Sequence, residues 1–384
     1  AAIRQELGDE KVRVLQIGIA GENGVLYSCI TNDLRHFNGR NGMGAVMGSK
    51  TLRAIAVRGT ARYQTLAHDP DRLMAIGRNA AQKVKEHPAS LDLQVRGTPG
   101  LVEPLNVGGI LPTRNFRQGA FENVDDIKWE SYESQILTAR RSCYACAIRC
   151  KREVKVDGQP SEYGGPEYEA VGAFGSNCAI SDLNIVAKAN ALCNAWGLDA
   201  ISTGGTIAFA MECFEHGLLS LEDTEGIDLR FGNGDALLQM IGKIARLEGL
   251  GALLAQGSMR AAEKIGGEAR FFAMQVKGQE LAMHDPRGKY NVGIGYAISE
   301  IGADHLVVAH DATIANPDSL SFQTARALGI TEAHPPRSLS EVKMHNFFAL
   351  ERWNSLEKVI GFCFFVPAPR SLIHPDDIIG AIQA

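Results

Sequence analysis

The sequence predicts an α+β fold, mainly helical with a β portion at its N-terminal end. Two observations carry this. Within residues 11–60 lie the short β-branched runs "VRVLQIGIAG" and "TLRAIAVRGT", each bounded by glycine and polar turns. From about His68 onward the apolar residues keep a helical period through most of the chain. A chain of 384 residues exceeds one ordinary core and implies two or three domains. We place them at 1–63, 64–200 and 201–384, the first boundary lying where the β texture gives way to helices.

Each element follows from local chemistry. "DPDRLMAIGRNAAQKVKEH" opens on an Asp-Pro capping signal and continues as a helix. "SDLNIVAKANALCNAW" takes Ser181 or Asp182 as its N-cap, puts Leu183, Val186, Ala189 and Cys193 on one face, and stops at Gly197. Further helices are expected at 201–217, 234–250, 251–265, 318–328 and 339–361. The glycine-rich stretch Asn38–Lys50 reads as a connection between strands. The chain begins without an initiator methionine or a leader pattern and closes mid-helix on "DDIIGAIQA", so we expect a piece of a longer protein.

Composition narrows the function. A formal charge of −5 offers no electrostatic footprint for nucleic acid or an anionic membrane, and no run approaches the ~18 apolar residues of a membrane span. Glycine is abundant, at 41 residues, which fits backbone brought close to a bulky ligand. Eight cysteines in a chain this long do not make a disulfide scaffold, so the compartment reads as reducing, that is, cytoplasmic.

Three of those cysteines fall within eight residues, Cys143-x2-Cys146-x3-Cys150. Thiolates suit zinc or iron–sulfur clusters. A structural zinc site would bring a second close pair, which is absent; three clustered cysteines plus a remote one suit a [4Fe–4S] cubane. Arg141, Arg149 and Arg152 would offset the cluster's negative charge. The fourth ligand is expected at Cys363, in "KVIGFCFF" ahead of Pro367 and Pro369. "NAWGLD" (Asn194–Asp199) and "KVIGFC" (Lys358–Cys363) share one layout, a helix end with glycine, a bulky apolar residue, then an acid or thiol. Helix–glycine–apolar is also the ordinary helix stop.

With "GRNGMGAVMGSKTLRAIAVRG", "LPTRNF" (Leu111–Phe116), "GPEYE" (Gly165–Glu169) and "DPRG…GYA…GADH" (Asp285–His305), these motifs follow one another in the order of the aldehyde:ferredoxin oxidoreductase family, which the chain resembles along nearly its whole length. The resemblance implies the end of that family's β-rich first domain, its helical second domain and part of its third. It implies a tungsten-bis-molybdopterin cofactor, one [4Fe–4S] cluster on Cys143, Cys146, Cys150 and Cys363, and Mg2+ bridging the pterin phosphates. Gly39, Arg40, Gly42 and Gly44 would approach the phosphates. Asn194, Gly197, Leu198 and Asp199 would grip one pterin. Lys358, where the family has Asp, would stand at the other, although an ammonium cannot accept from a pterin amine. Arg287 would serve a phosphate or carboxylate. Glu169 and His305 are the implied catalytic pair, a carboxylate base and an imidazole that stabilises developing charge. His284 competes with them, and His310 and His345 read as structural.

The implied reaction oxidises an aldehyde to a carboxylic acid and passes electrons to ferredoxin or a small iron–sulfur subunit, in a homo- or hetero-oligomer. Two alternatives stand beside it: a tungsten aryl-CoA (benzoyl-CoA type) reductase subunit, and a non-catalytic iron–sulfur electron-transfer protein.

Overall fold

A computed structural model describes residues 2–61 and 66–384. The expected boundary at 63/64 lies outside the described residues.

The N-terminal portion is an antiparallel sheet of β1 (Arg13–Ile17), β2 (Ile30–Asn32), β3 (His36–Asn38) and β4 (Ala54–Val57), in the order β3-β2-β1-β4. Leu15 faces Asn32 on one side and Ile55 on the other. The glycine-rich connection between the strands carries helix α1 (Met43–Ser49). Gly42 enters it at φ +65°. A Cβ on Gly48 would lie 1.9 Å from the Gly21 carbonyl oxygen, so α1 rests on backbone, a packing only glycine permits.

The rest is helical. The main helices are α2 (Pro70–Glu86), α3 (Pro88–Arg96), α4 (Tyr168–Phe174), α5 (Leu183–Trp196), α6 (Ala200–Glu215), α7 (Gly234–Arg246), α8 (Tyr290–Ile298), α9 (Glu341–Ile360) and α10 (Pro375–Gln383). Asp182 caps α5 by accepting from Asn184 N, and Gly197 ends it at φ +75°. Leu183, Val186, Ala189 and Cys193 are all buried, as their spacing required. The helix expected over 251–265 breaks in two at Gly257, which stands at φ +84°. A hairpin, β5 (Leu137–Arg141) with β6 (Lys151–Val154), holds the cysteine loop between its strands.

One apolar cluster runs from Ala20 to Ala303 without interruption at residue 200. A second spans Val308 to Leu350, and a third joins Val84 and Ile148 to Trp353, Ile373 and Ile378. The division expected at 200 therefore does not appear in the core, because α5, α6 and α7 bury their apolar faces on one another. No helix among the described residues is long and apolar enough to cross a membrane.

Candidate active site and cluster loop

The two look-alike turns are the same structure. Leu198 N donates to Cys193 O and Phe362 N to Glu357 O, each at 2.9 Å and each reaching five residues back over a left-handed glycine, Gly197 (φ +75°) and Gly361 (φ +79°). This is the hydrogen-bonded helix stop that satisfies the last carbonyls. The first turn is also stapled to the β portion. Cys29 N donates to Gly197 O (2.8 Å), Asp199 N donates to Tyr27 O (3.0 Å), and a Cβ on Gly18 would strike the Trp196 carbonyl oxygen.

A cleft of about 190 Å3 opens beside that turn. Gly39 and Arg40 line it from the glycine-rich segment, Lys151 from the cysteine hairpin, Glu169 from α4, and Asn194 and Asp199 from the turn. Four motifs distant in sequence thus share one wall system. Their charged members, however, are engaged with the protein. Arg40 donates to Asp199 Oδ2 (3.1 Å), Ala303 O (2.7 Å) and Glu280 O (2.7 Å), bracing the glycine segment against the turn and residues 280–303. The other oxygen of Asp199 caps α6 by accepting from Ile201 N. Arg287 chelates Asp285 and reaches Phe116 O. Lys358 pairs with Asp304 Oδ2 at 3.0 Å.

The amides tell a different story. Asn194 donates to Tyr163 O (2.7 Å). One turn earlier on the same face of α5, Asn190 also lines the cleft, and its buried Nδ2 has no protein partner. An orphaned buried donor beside Asn194 fits a flat heterocycle rich in hydrogen-bonding atoms, which is the character of a pterin. Our reading of the sequence missed Asn190; its spacing of four from Asn194 was the available signal.

Behind Glu169 lies a cluster the sequence only half disclosed. Glu169 stands in the first turn of α4, and its Oε2 accepts from Met283 N at 2.8 Å. Its Oε1 lies 3.0 Å from His284 Nε2 and 3.5 Å from His305 Nε2. Tyr168 and Tyr296 donate to carbonyls of residues 282–284 and hold that segment in place. Lys289 Nζ lies 2.8 Å from His284 Nδ1, so Nδ1 accepts and the imidazole proton sits on Nε2, facing Glu169. His310, expected to be merely structural, packs edge-on to His284 with centroids 4.3 Å apart and donates from Nε2 to His305 O. His345 lies outside this cluster, on α9. Glu169, His284 and His305 have the ligand count and spacing of a metal site. The Nε2 proton on His284 argues against one, because a ligating nitrogen must offer its lone pair.

Burial pushes Lys289 down to about 8. Burial, with the Lys289 charge adding, holds His284 well below the ordinary 6.5, and burial does the same to His310. Below pH 6.5 the unfolded chain takes up protons at these two histidines and the folded chain does not, so stability falls with pH there. Each group contributes up to about 1.4 kcal/mol per pH unit. Urea midpoints at pH 7.5 and 5.5 check this: the lower pH is expected to unfold earlier, and a smaller shift is expected in His310→Gln.

The cysteine loop carries the second assembly. Cys143, Cys146 and Cys150 sit between β5 and β6, and Cys363 follows the second helix stop. Burial pushes Cys150 up to about 12, with Glu167 and then Cys363 and Cys143 adding. Burial likewise raises Cys363, with a contribution from Cys146 and Cys143. Cys146, Cys150 and Phe362, the residue before Cys363, pack on one apolar cluster. Among the described residues no three thiols lie within 4.8 Å of one another. A tetrahedral zinc ion would need them about 3.8 Å apart, whereas a cubane spreads its ligands because each sulfur binds a different iron. Three thiols from one hairpin loop and a fourth after the second helix stop make the all-thiolate donor set such a cluster takes. The flanking arginines are more structural than expected: Arg152 donates to Leu93 O and Gln94 O at the end of α3, and Arg141 pairs with Glu153.

Residues 75–384 match the family described as aldehyde ferredoxin oxidoreductase, domains 2 and 3, and residues 1–59 match its N-terminal domain. The chain belongs to the aldehyde ferredoxin oxidoreductase family. It is 38% identical over 370 residues to a tungsten-containing aldehyde ferredoxin oxidoreductase of Pyrococcus abyssi, covering 95% of this chain and 58% of that protein. The counterpart in Thermococcus kodakarensis is also 38% identical, over 367 residues, with the same coverage of 95% and 58%. The WOR-like subunit of an aliphatic sulfonate oxidoreductase of Pyrococcus furiosus is 30% identical over 307 residues, covering 77% of this chain and 48% of that subunit. Among solved structures, the BamBC active-site complex of benzoyl-coenzyme A reductase superposes with a TM-score of 0.73, covering 97% of this chain and 60% of that one. At 22% identity this shows the fold alone. The chain thus spans 58% of the length of the aldehyde ferredoxin oxidoreductases it matches.

Proposed function

We propose that the chain forms the cluster-bearing and substrate-facing part of a tungsten-pterin enzyme that oxidises an aldehyde, with water, to a carboxylic acid, releasing two protons and two electrons. One observation carries this: Glu169, backed by two histidines, opens onto the same cleft as the pterin-type turn at Asn194–Asp199, and the hairpin of the cysteine loop forms another wall of that cleft. When bound, the tungstopterin supplies the two-electron redox chemistry.

The chain's own residues do the rest. Asn190 Nδ2 and Asn194 bind and orient the heterocycle, and the helix stop at Gly197 keeps both amides in place. Glu169 Oε1 takes the proton of the attacking water, its other oxygen being committed to Met283 N. His284, held by Lys289 at Nδ1, sets its Nε2 3.0 Å from that carboxylate oxygen. His305 Nε2 supplies a donor where charge develops on the substrate oxygen. Lys358 does not hold a pterin in this reading; it pairs with Asp304 and orders the turn before His305.

Metal analysis of the anaerobically purified full-length protein tests this. We expect about one tungsten and four irons per chain, and aldehyde-dependent reduction of a low-potential acceptor. Four irons without tungsten or molybdenum would leave an electron carrier and remove the catalytic reading. Zinc in place of iron would remove the cluster as well.

A further inference from the structure

His305 is placed by its backbone. Its Nδ1 is buried without a hydrogen-bond partner among the described residues, and its Nε2 lies 3.5 Å from Glu169 Oε1. Short hydrogen bonds of its own do not fix the ring, so its aim depends on the loop that carries it. That loop, residues 304–311, is braced from α9 and from within. Lys358 Nζ pairs with Asp304 Oδ2 (3.0 Å), Asn354 Nδ2 donates to Leu306 O (3.3 Å), and Leu306 N donates to Asp304 Oδ1 (2.9 Å). The bond that closes on His305 itself comes from His310, whose Nε2 donates to the His305 carbonyl at 2.9 Å. The same ring packs edge-on to His284, with centroids 4.3 Å apart. One side chain thus touches both residues whose imidazoles face Glu169.

His310 is itself held. Its ring contacts Phe364 as well as His284, at 6.0 Å between centroids. Its carbonyl accepts from Thr313 N (2.9 Å), and its neighbour Asp311 is fully buried in the ion pair with Lys343. A side chain can position others only when its own placement is fixed, and His310 meets that condition. Histidine suits the place because it combines an aromatic edge for His284 with a donor for the carbonyl. Phenylalanine offers only the edge and glutamine only the donor.

We propose that His310 is a positioning residue of this site: by closing the 305–310 loop and backing His284, it fixes the spacing of the two imidazoles on Glu169 Oε1. This rests on the reading of Glu169 and His305 as the groups that act on the aldehyde. His310 touches no reacting atom and moves no proton.

The test is aldehyde turnover per bound tungsten in full-length protein, in wild type, Glu169→Gln, His305→Gln, His310→Phe, His310→Gln and the double variant His305→Gln/His310→Phe. His310→Phe is expected to lower kcat about 10–100-fold, the range for losing an outer group that orients a functional side chain, with KM within about threefold. His310→Gln restores a donor near the Nε2 position and is expected to recover to within about threefold of wild type. The double variant is expected to fall no further than His305→Gln alone, because His310 acts through His305; a loss of packing alone would multiply the two defects. Three results overturn the inference: His310→Phe within about twofold of wild type, His310→Gln no faster than His310→Phe, or a double variant that multiplies the single defects. If His310→Phe does not bind tungsten, His310→Asn, whose shorter amide stops short of the His305 carbonyl, is judged by the same results. Glu169→Gln retaining more than about a tenth of wild-type turnover overturns the reading of the site and this inference with it. A defective Glu169→Gln beside an unmoved His310→Phe overturns this inference alone.

Discussion

Glu169→Gln is expected to lower turnover about 10²–10⁴-fold, the usual contribution of a positioned general base, while KM for the aldehyde stays within a few-fold. Glutamine keeps the side-chain volume and the bond from Met283 N, so α4 and the segment at 282–284 have no reason to move. What is lost is the proton acceptor at Oε1, the atom that both His284 and His305 face. Because the defect lies in proton transfer and not in binding, kcat and kcat/KM should fall together. The iron and tungsten contents should not change. A variant retaining more than a tenth of wild-type turnover would show that the base lies elsewhere, and His305→Gln would then be the next variant to examine.

Lys343→Met is expected to cost about 3–5 kcal/mol of folding stability, the range for removing one partner of a buried ion pair. Lys343 and Asp311 are both fully buried, 2.6 Å apart. Lys343 Nζ also donates to Pro336 O at 2.7 Å, and both Asp311 oxygens lie 3.0 Å from Asn291 N at the start of α8. One ammonium therefore joins α9 to the first turn of α8 and to the residue following His310. Removing it leaves an unpaired buried carboxylate. In Lys343→Met/Asp311→Asn that charge is gone, so the double variant should lose less than the sum of the two single losses. Urea midpoints read both quantities. A single variant within about 1 kcal/mol of wild type would mean that Asp311 is neutral or solvated in the folded protein.

Both predictions depend on residues whose meaning came from different places. The helices around the site were legible because amphipathic spacing and caps are local properties: Asp182, Gly197 and the buried face of α5 stand where the spacing put them. The equivalence of the turns at 194–199 and 358–363 was legible for the same reason, since a left-handed glycine and the bond closing over it lie within six residues of each other. Cys143, Cys146 and Cys150 announced themselves by spacing, and Glu169, Asn194 and Asp199 by the motifs that carry them.

Partnership was not legible. Arg40 and Asp199 are separated by 159 positions, Lys358 and Asp304 by 54, and nothing local tells a charged side chain that its counter-ion will come from another segment. Thus Arg40 and Lys358 are paired with carboxylates from distant segments, while the Asn190 Nδ2 is left without a protein partner. The cluster of His284, His305, His310 and Lys289 around Glu169 likewise forms only when residues 282–311 fold back onto α4. Composition, caps and periodicity act through neighbours in the chain, so the sequence settles the elements, the cysteine motif and the family. Electrostatic partners and protonation states are set by burial and by contacts between distant segments, and these exist only once the cores have closed.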